Sequence, residues 1–304
     1  ATNMSNTLPT TTLGRTNLIV TRLGYGAGHR KHMDNLQQEK VLNLILDTGI
    51  NFIDTADCYG ATYDDPDTSE KLIGKHISHR RSEFHIATKC GGSESGHNWS
   101  KENVFRNLHD SLVRMKTEYV DIMQLHGAKS NECEKERLVE SMLEMREQGK
   151  VKWIGASTNL PDLATYEKWN VFDVYQLPYS ALERDHENWI DHLTQRGAGI
   201  IVRGGIALGE PGIGLGNHEA WNQFEATGLD EFRSESESRT SFILRFTLTH
   251  PGAHTNIVGT TNLSHIRENI KATMAGPLPD KTYQEVKKRL YHAGLKPSPL
   301  RLRR

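Results

Sequence analysis

The sequence predicts an α/β fold, a (β/α)8 TIM barrel, and three observations lead there. From about residue 38 onward, amphipathic helical patterns alternate with short apolar runs, which is the signature of βα units around a parallel sheet. Eight of each can be counted, which suits a closed barrel better than an open doubly wound sheet. Three successive apolar runs also stop at or just before titratable side chains: Asp54 and Tyr59 after the run at 51–53, Lys89 after 84–88, and His126 after 119–125. In a parallel barrel all strand C-termini open on one face, so these four groups would converge.

The strands are expected near 20–24, 51–54, 84–89, 119–125, 151–156, 172–176, 199–202 and 256–258. Helices are expected near 37–48, 69–79, 101–115, 133–149, 161–168, 185–196, 238–249 and 263–274. Local signals support several starts. Ser100 precedes Lys101-Glu102-Asn103 after a Gly/Ser-rich loop, Ser69-Glu70 opens another helix, and Pro161 sits in a first turn where its missing N–H costs little. Gln148-Gly149 closes the longest helical pattern before Lys150-Val151-Lys152-Trp153 begins a strand. Two stretches break the rhythm. Residues 12–18 read as an N-terminal hairpin that plugs the barrel bottom. After strand seven, residues 203–237 form a loop long enough to act as a lid. The whole chain, 1–304, reads as one barrel domain.

Bulk properties narrow the function classes. With 37 basic and 38 acidic residues the formal charge is -1, which argues against nucleic acid or a membrane surface as a partner. No apolar run approaches the roughly 18 residues needed to span a bilayer. Ala1-Thr2-Asn3-Met4-Ser5 has neither a basic start nor an apolar core, so no secretory signal is read there. Cys58, Cys90 and Cys133 cannot all pair and form no Cys-x-x-Cys unit, and a cytoplasmic, reducing setting is expected. No His-x-x-x-His or cysteine spacing suits zinc, and no Gly-x-Ser-x-Gly elbow is present, so neither a metal nor a serine nucleophile is expected.

The four convergent groups suggest proton chemistry. An ammonium at Lys89 would favour the Tyr59 phenolate and lower its pKa, Asp54 would supply the lysine's counter-ion, and His126 would polarise an oxygen meeting the phenol. Such a set can give a proton to a carbonyl oxygen while a hydride reaches its carbon, and can run in reverse. Any one of these residues alone is more often a structural ion pair, a core histidine or a rim aromatic; their joint occurrence at consecutive strand ends carries the reading.

Asn51-Phe52-Ile53-Asp54-Thr55-Ala56-Asp57-Cys58-Tyr59-Gly60, Ala87-Thr88-Lys89 and Asp121-Ile122-Met123-Gln124-Leu125-His126 closely resemble the aldo-keto reductase motifs in order and spacing. The resemblance extends from Leu13-Gly14 to Glu268-Asn269. It implies a barrel binding NADPH, less often NADH, across its mouth, with Tyr59 as general acid assisted by Lys89, Asp54 and His126. Gly24-Tyr25-Gly26-Ala27-Gly28 is followed by His29-Arg30-Lys31-His32 rather than an apolar helix, so it is no Rossmann fingerprint. The resemblance instead makes Gly26 and Ala27 neighbours of the nicotinamide ribose. It assigns Ser157, the shifted Asn159 and Gln176 to the carboxamide, and puts Arg203 where many members carry a stacking aromatic. A guanidinium is planar and can stack on a ring while adding charge.

After the last strand, the loop opening a helix at 259–269 offers free N–H groups to phosphate. Gly259 and His265 stand where NADPH-preferring relatives often carry Lys and Arg. Thr260, Asn262 and His265 remain candidate phosphate partners and Asn269 an adenine contact. NADPH is expected narrowly ahead of NADH. Substrate, a small carbonyl or alcohol, would meet Tyr25 and Trp99. A rival reading, a cofactor-binding redox sensor attached to a membrane channel, lacks the long N-terminal extension it would want. A hydrolase or isomerase using Asp54 and His126 would leave Ser157, Asn159 and Gln176 unexplained.

Overall fold

A computed structural model describes residues 7–28 and 32–302. The leader reading at residues 1–5 lies outside the described residues, as do His29, Arg30 and Lys31 of the glycine-rich loop. Eight parallel strands close into a barrel: β3 (Leu23–Gly26), β4 (Phe52–Asp54), β5 (His85–Cys90), β8 (Val120–His126), β9 (Val151–Ser157), β10 (Val174–Pro178), β11 (Gly199–Arg203) and β12 (Thr255–Val258), with β12 pairing back onto β3. The remaining strands form two small antiparallel pairs, β1 (Thr10–Thr12) with β2 (Ile19–Thr21), and β6 (Gly92–Ser93) with β7 (Gly96–His97). The run expected at 20–24 is therefore two strands, because its first half completes the N-terminal hairpin and only its second half enters the barrel.

That hairpin plugs the barrel bottom. Leu13, Leu18 and Val20 pack with Phe52, Ala87, Ile122, Val174 and Ile201, the inward side chains of five strands. Gly14, at φ +54, lies so close to β11 that an added Cβ would fall 2.2 Å from Gly199 N, and Arg15 N–H donates to Gly197 O at 2.7 Å. Because strand side chains alternate, the next inward position on each strand lies one layer higher. On β4, β5, β8, β10 and β11 this layer carries Asp54, Lys89, Gln124, Gln176 and Arg203. One period-2 pattern thus makes an apolar floor and a polar ceiling.

The helices are α1 (Asn35–Asp47), α2 (Ser69–Ile77), α3 (Lys101–Met115), α4 (Ser130–Lys135), α5 (Leu138–Glu147), α6 (Asp162–Trp169), α7 (Glu187–Gln195), α8 (His218–Ala226), α9 (Arg239–Thr249), α10 (Leu263–Ala275) and α11 (Asp280–His292). Ser100 caps α3 through Asn103 N. At α2 the cap is Thr68, while Ser69 instead bonds Thr55 across the βα loop at 2.7 Å. The single helix expected at 133–149 is broken at Arg137, which adopts φ 52 between α4 and α5. Cys133 and Leu138 are both buried, yet five residues place two side chains roughly 140° apart on a continuous helix. The left-handed residue reorients the chain so that both reach the core. Residues 203–237 are partly ordered secondary structure rather than bare loop: they hold α8 and a 3-10 turn, Leu229–Phe232, with Trp221 Nε1 donating to Ala207 O at 3.0 Å.

Two histidines stitch backbone to backbone as neutral acceptors. Ile200 N donates to His254 Nδ1 at 3.0 Å, and Leu160 N donates to His186 Nε2 at 3.1 Å. Burial pushes each imidazole down from about 6.5 to about 4. Between those values the unfolded chain takes up protons that the folded chain refuses, so stability falls as pH drops through this window. The urea midpoint should decline from pH 7 to pH 4, and His254→Asn, whose Oδ1 can replace the Nδ1 acceptor, should decline less steeply. An equal slope in the variant would exclude His254 as a source of the acid sensitivity.

Candidate active site

Lys89 lies at the centre of the barrel's C-terminal face and is 0% exposed. Its ammonium donates to Asp54 Oδ2 at 2.6 Å, to Thr55 O at 2.9 Å and to the Tyr59 hydroxyl at 2.9 Å, so all three protons have acceptors. Asp54, equally buried, accepts on its other oxygen from Gln124 Nε2 and Gln176 Nε2, each at 2.9 Å, and Gln176 also donates to Gln124 Oε1 at 2.9 Å. The ion pair is therefore closed on both sides by hydrogen bonds, the condition under which a buried charge is tolerated. Gln124 was not singled out from the sequence. Its signal was available, since it stands two residues before His126 and so faces the barrel axis with it.

The Tyr59 phenol is half-buried, and the His126 ring stands edge-on to it with centroids 5.8 Å apart. Burial raises the phenol's pKa; Lys89 lowers it in part and Asp54 adds to the rise, so the net shift is upward. This corrects the expectation of a lowered value: in a desolvated pocket, loss of water around the phenolate outweighs one neighbouring ammonium that is already shared with Asp54. For Lys89 burial opposes the charge, but Asp54 and Tyr59 outweigh it and the ammonium is held above its ordinary value.

Tyr59 and His126 open into a cavity of about 340 Å³ whose walls include Lys129, Ser157, Asn159, Gln176 and Arg203. Arg203 bonds Thr158 O at 3.3 Å and the Asn159 side-chain oxygen, while its buried Nε has no partner. Burial lowers its pKa, and Glu183, Tyr59 and Asp54 offset part of that. Two sequence candidates lie elsewhere. Tyr25 is 2% exposed and its hydroxyl donates to Thr260 O at 3.3 Å, accepting from Gln38 of α1; desolvation pushes it up to about 12. Trp99 is buried too, stacked on His97 at 5.5 Å, and neither ring is among the residues lining this cavity. The β6–β7 hairpin, not anticipated from the sequence, brings His97 to 6.3 Å from His126.

A second cleft, about 490 Å³, runs between residues 204–215 and the start of α10, and is lined by Gly259, Thr260, Asn262, His265, Glu268 and Asn269 among others. Asn262 Oδ1 already caps Ser264 N and His265 N, so its carboxamide oxygen is committed to the helix. Gly259 abuts β3: a Cβ there would lie 2.6 Å from Gly26 O, which accounts for the absence of a side chain. Ala27 N–H donates to Asp54 O at 2.8 Å, joining the end of β3 to the polar layer.

On the rim, Asp57, Cys58 and His126 each bring one ligand-type atom to within 4.8 Å of the other two, with Cys58 Sγ 3.6 Å from His126 Nδ1. Asp57 is 3% exposed and accepts from Gly92 N at 3.0 Å, whereas its Oδ1 has no hydrogen-bond partner. Burial, reinforced by Glu70, pushes its carboxyl up to about 7. Sequence spacing did not show this group because 68 residues separate Cys58 from His126.

Known proteins share this organisation. The profile of the aldo/keto reductase family matches residues 22–290. The uncharacterized oxidoreductase YqkF of Bacillus subtilis is 27% identical, with 90% of this chain and 93% of that protein covered. L-galactose dehydrogenase of Arabidopsis thaliana is also 27% identical, over 86% of each. Among solved structures, the holo form of aldo-keto reductase AKR11C1 from Bacillus halodurans superposes with a TM-score of 0.81 at 26% identity, covering 93% of this chain and 96% of that one. On the family match over most of its length and the shared closed barrel, this chain belongs to the aldo/keto reductase family and is an oxidoreductase.

Proposed function

We propose that the protein reduces an aldehyde or ketone to an alcohol, reversibly, with Tyr59 as the general acid. The observation that carries this reading is the Lys89 ammonium fixed between Asp54 Oδ2 and the Tyr59 hydroxyl, under a cavity that Tyr59 shares with His126. A bound nicotinamide dinucleotide supplies the hydride. The chain's own residues do the rest. The raised pKa of Tyr59 keeps its proton in place at neutral pH, ready for a carbonyl oxygen. Lys89 stabilises the phenolate left behind, and Asp54, held by Gln124 and Gln176, keeps Lys89 charged and in place. His126 offers a second donor to the same oxygen and walls off water.

The two cavities suit the two ends of a dinucleotide. Ser157, Asn159, Gln176 and Arg203 surround the space beside Tyr59, where the nicotinamide would have to lie for hydride transfer; the cleft at α10 is left for the adenosine end. The unpartnered Nε of Arg203 and its planar head give that residue a place against the nicotinamide or the pyrophosphate. The cleft lining carries no Lys or Arg among the described residues, only His265 and Glu268 as titratable groups. This reading departs from the narrow expectation of NADPH: with no Lys or Arg lining the cleft to meet a 2′-phosphate, NADH is taken as accommodated at least as well as NADPH. The substrate is a small carbonyl compound reaching Tyr59 past His126 and Lys129. Among the described residues no helix is long and apolar enough to cross a membrane.

Following loss of reduced-nicotinamide absorbance with an activated aromatic aldehyde tests the reaction. Wild type should oxidise the cofactor and Tyr59→Phe should lose roughly 10²–10⁴ of kcat with cofactor affinity unchanged; full activity in the variant would exclude Tyr59 as the acid. The same assay should give kcat/KM with NADH equal to or above that with NADPH. Arg203→Ala should weaken cofactor binding and turnover together, and wild-type values for both would remove Arg203 from the cofactor site. Gln124→Leu leaves Asp54 short of one donor in a buried layer, so urea unfolding should show a loss of about 1–3 kcal/mol.

A further inference from the structure

We infer that Asp57, Cys58 and His126 form a binding site for a thiophilic divalent cation of the zinc class, and that its occupation shuts the active site. The geometry at the rim is what such an ion requires. Zinc bonds thiolate sulfur at about 2.3 Å and imidazole nitrogen at about 2.0–2.1 Å, so a tetrahedral ion holds the two donors roughly 3.6 Å apart. Cys58 Sγ and His126 Nδ1 stand 3.6 Å apart. The third donor is a carboxylate oxygen of Asp57, within 4.8 Å of both. Closing that side onto a metal takes a movement of about 1 Å, within the reach of one side-chain torsion.

A second, independent observation is the state of Asp57. The residue is 3% exposed, one oxygen accepts from Gly92 N, and the other has no hydrogen-bond partner. A buried carboxylate oxygen left without a donor is costly, and a cation at this spot would supply the missing counter-charge. Cys58 is exposed, so an ion can enter from solvent, whereas Cys90 and Cys133 are buried. Binding needs no redox step: the thiol proton goes to solvent and a metal–thiolate bond forms. Three protein ligands leave a fourth position for water.

The consequence for activity rests on the catalytic reading above. A metal on Nδ1 of His126, whose ring stands edge-on to Tyr59 with centroids 5.8 Å apart, fixes the imidazole and occupies the approach to the phenol, so bound cation inhibits. Without the cation the carbonyl chemistry does not depend on Cys58, which has no part in proton transfer.

Cobalt(II) added to the apoprotein gives a direct readout, since thiolate coordination produces a charge-transfer band in the near ultraviolet. One equivalent should bind with that band, and Zn²⁺ should displace it. Cys58→Ser should lose the band and weaken zinc binding by at least about tenfold, the scale seen even for outer-sphere partners, and should retain wild-type turnover without zinc. Asp57→Asn should weaken binding similarly; if that buried change impairs folding, Cys58→Ala serves instead. Persistence of the band in Cys58→Ser, or no binding to wild type, overturns the site. Zinc that binds at Cys58 without slowing wild-type turnover overturns the inhibition. If wild type turns over no carbonyl substrate, the catalytic reading fails on its own while the cobalt titration still judges the metal site.

Discussion

Placing a lysine ammonium at the centre of a barrel, out of contact with water, is the constraint around which the C-terminal face is organised. An isolated charge there would be neutralised rather than tolerated. Lys89 keeps its charge because Asp54, Thr55 and Tyr59 accept all three of its protons, and Asp54 in turn is satisfied by Gln124 and Gln176. These groups come from β4 and the loop after it, β5, β8 and β10, so the strands of half the barrel are cross-linked through one polar layer. Removing any member leaves a buried polar atom without a partner, which is why the network behaves as a unit rather than as separate contacts.

The layer can be polar only because the one beneath it is not. Phe52, Ala87, Ile122, Val174 and Ile201, closed from below by Leu13, Leu18 and Val20 of the hairpin, fill the lower barrel and exclude water from the underside of Asp54 and Lys89. Structure and chemistry therefore use the same two-residue alternation. The apolar floor stabilises the fold, and the ceiling holds charges whose energies depend on that dry floor.

Around this core, the surface elements set access. The β6–β7 hairpin carries His97 and Trp99 toward His126, and Arg203 with Asn159 flanks the opposite wall. Beyond Arg203 the chain between β11 and α9 folds into α8 and a short turn anchored by Trp221, and its Leu208, Ile213 and Leu215 stand exposed along the cleft that ends at α10. The cleft carries only His265 and Glu268 as titratable groups among the described residues, whereas the cavity at Tyr59 is polar and edged by Arg203 and Lys129.

Much of this was legible in the chain alone. The eight-fold alternation of apolar runs and amphipathic segments, the hairpin, and the placement of Asp54, Lys89 and His126 at strand ends follow from local periodicity, which each segment carries within itself. The resemblance to the family, rather than periodicity, brought in Ser157, Asn159, Gln176 and Arg203, which line one cavity. Tertiary structure alone decided the rest. The break at Arg137 arises because Cys133 and Leu138 must both face a core that neither encodes, and α11 lies beyond the last repeat of the pattern. Gln124 joins Asp54 across 70 residues, Tyr25 turns toward Gln38 rather than the cavity, and Cys58 meets His126 across 68. The upward shift of the Tyr59 phenol belongs here too: a sequence shows which charges are available, but desolvation depends on what the whole fold packs around them.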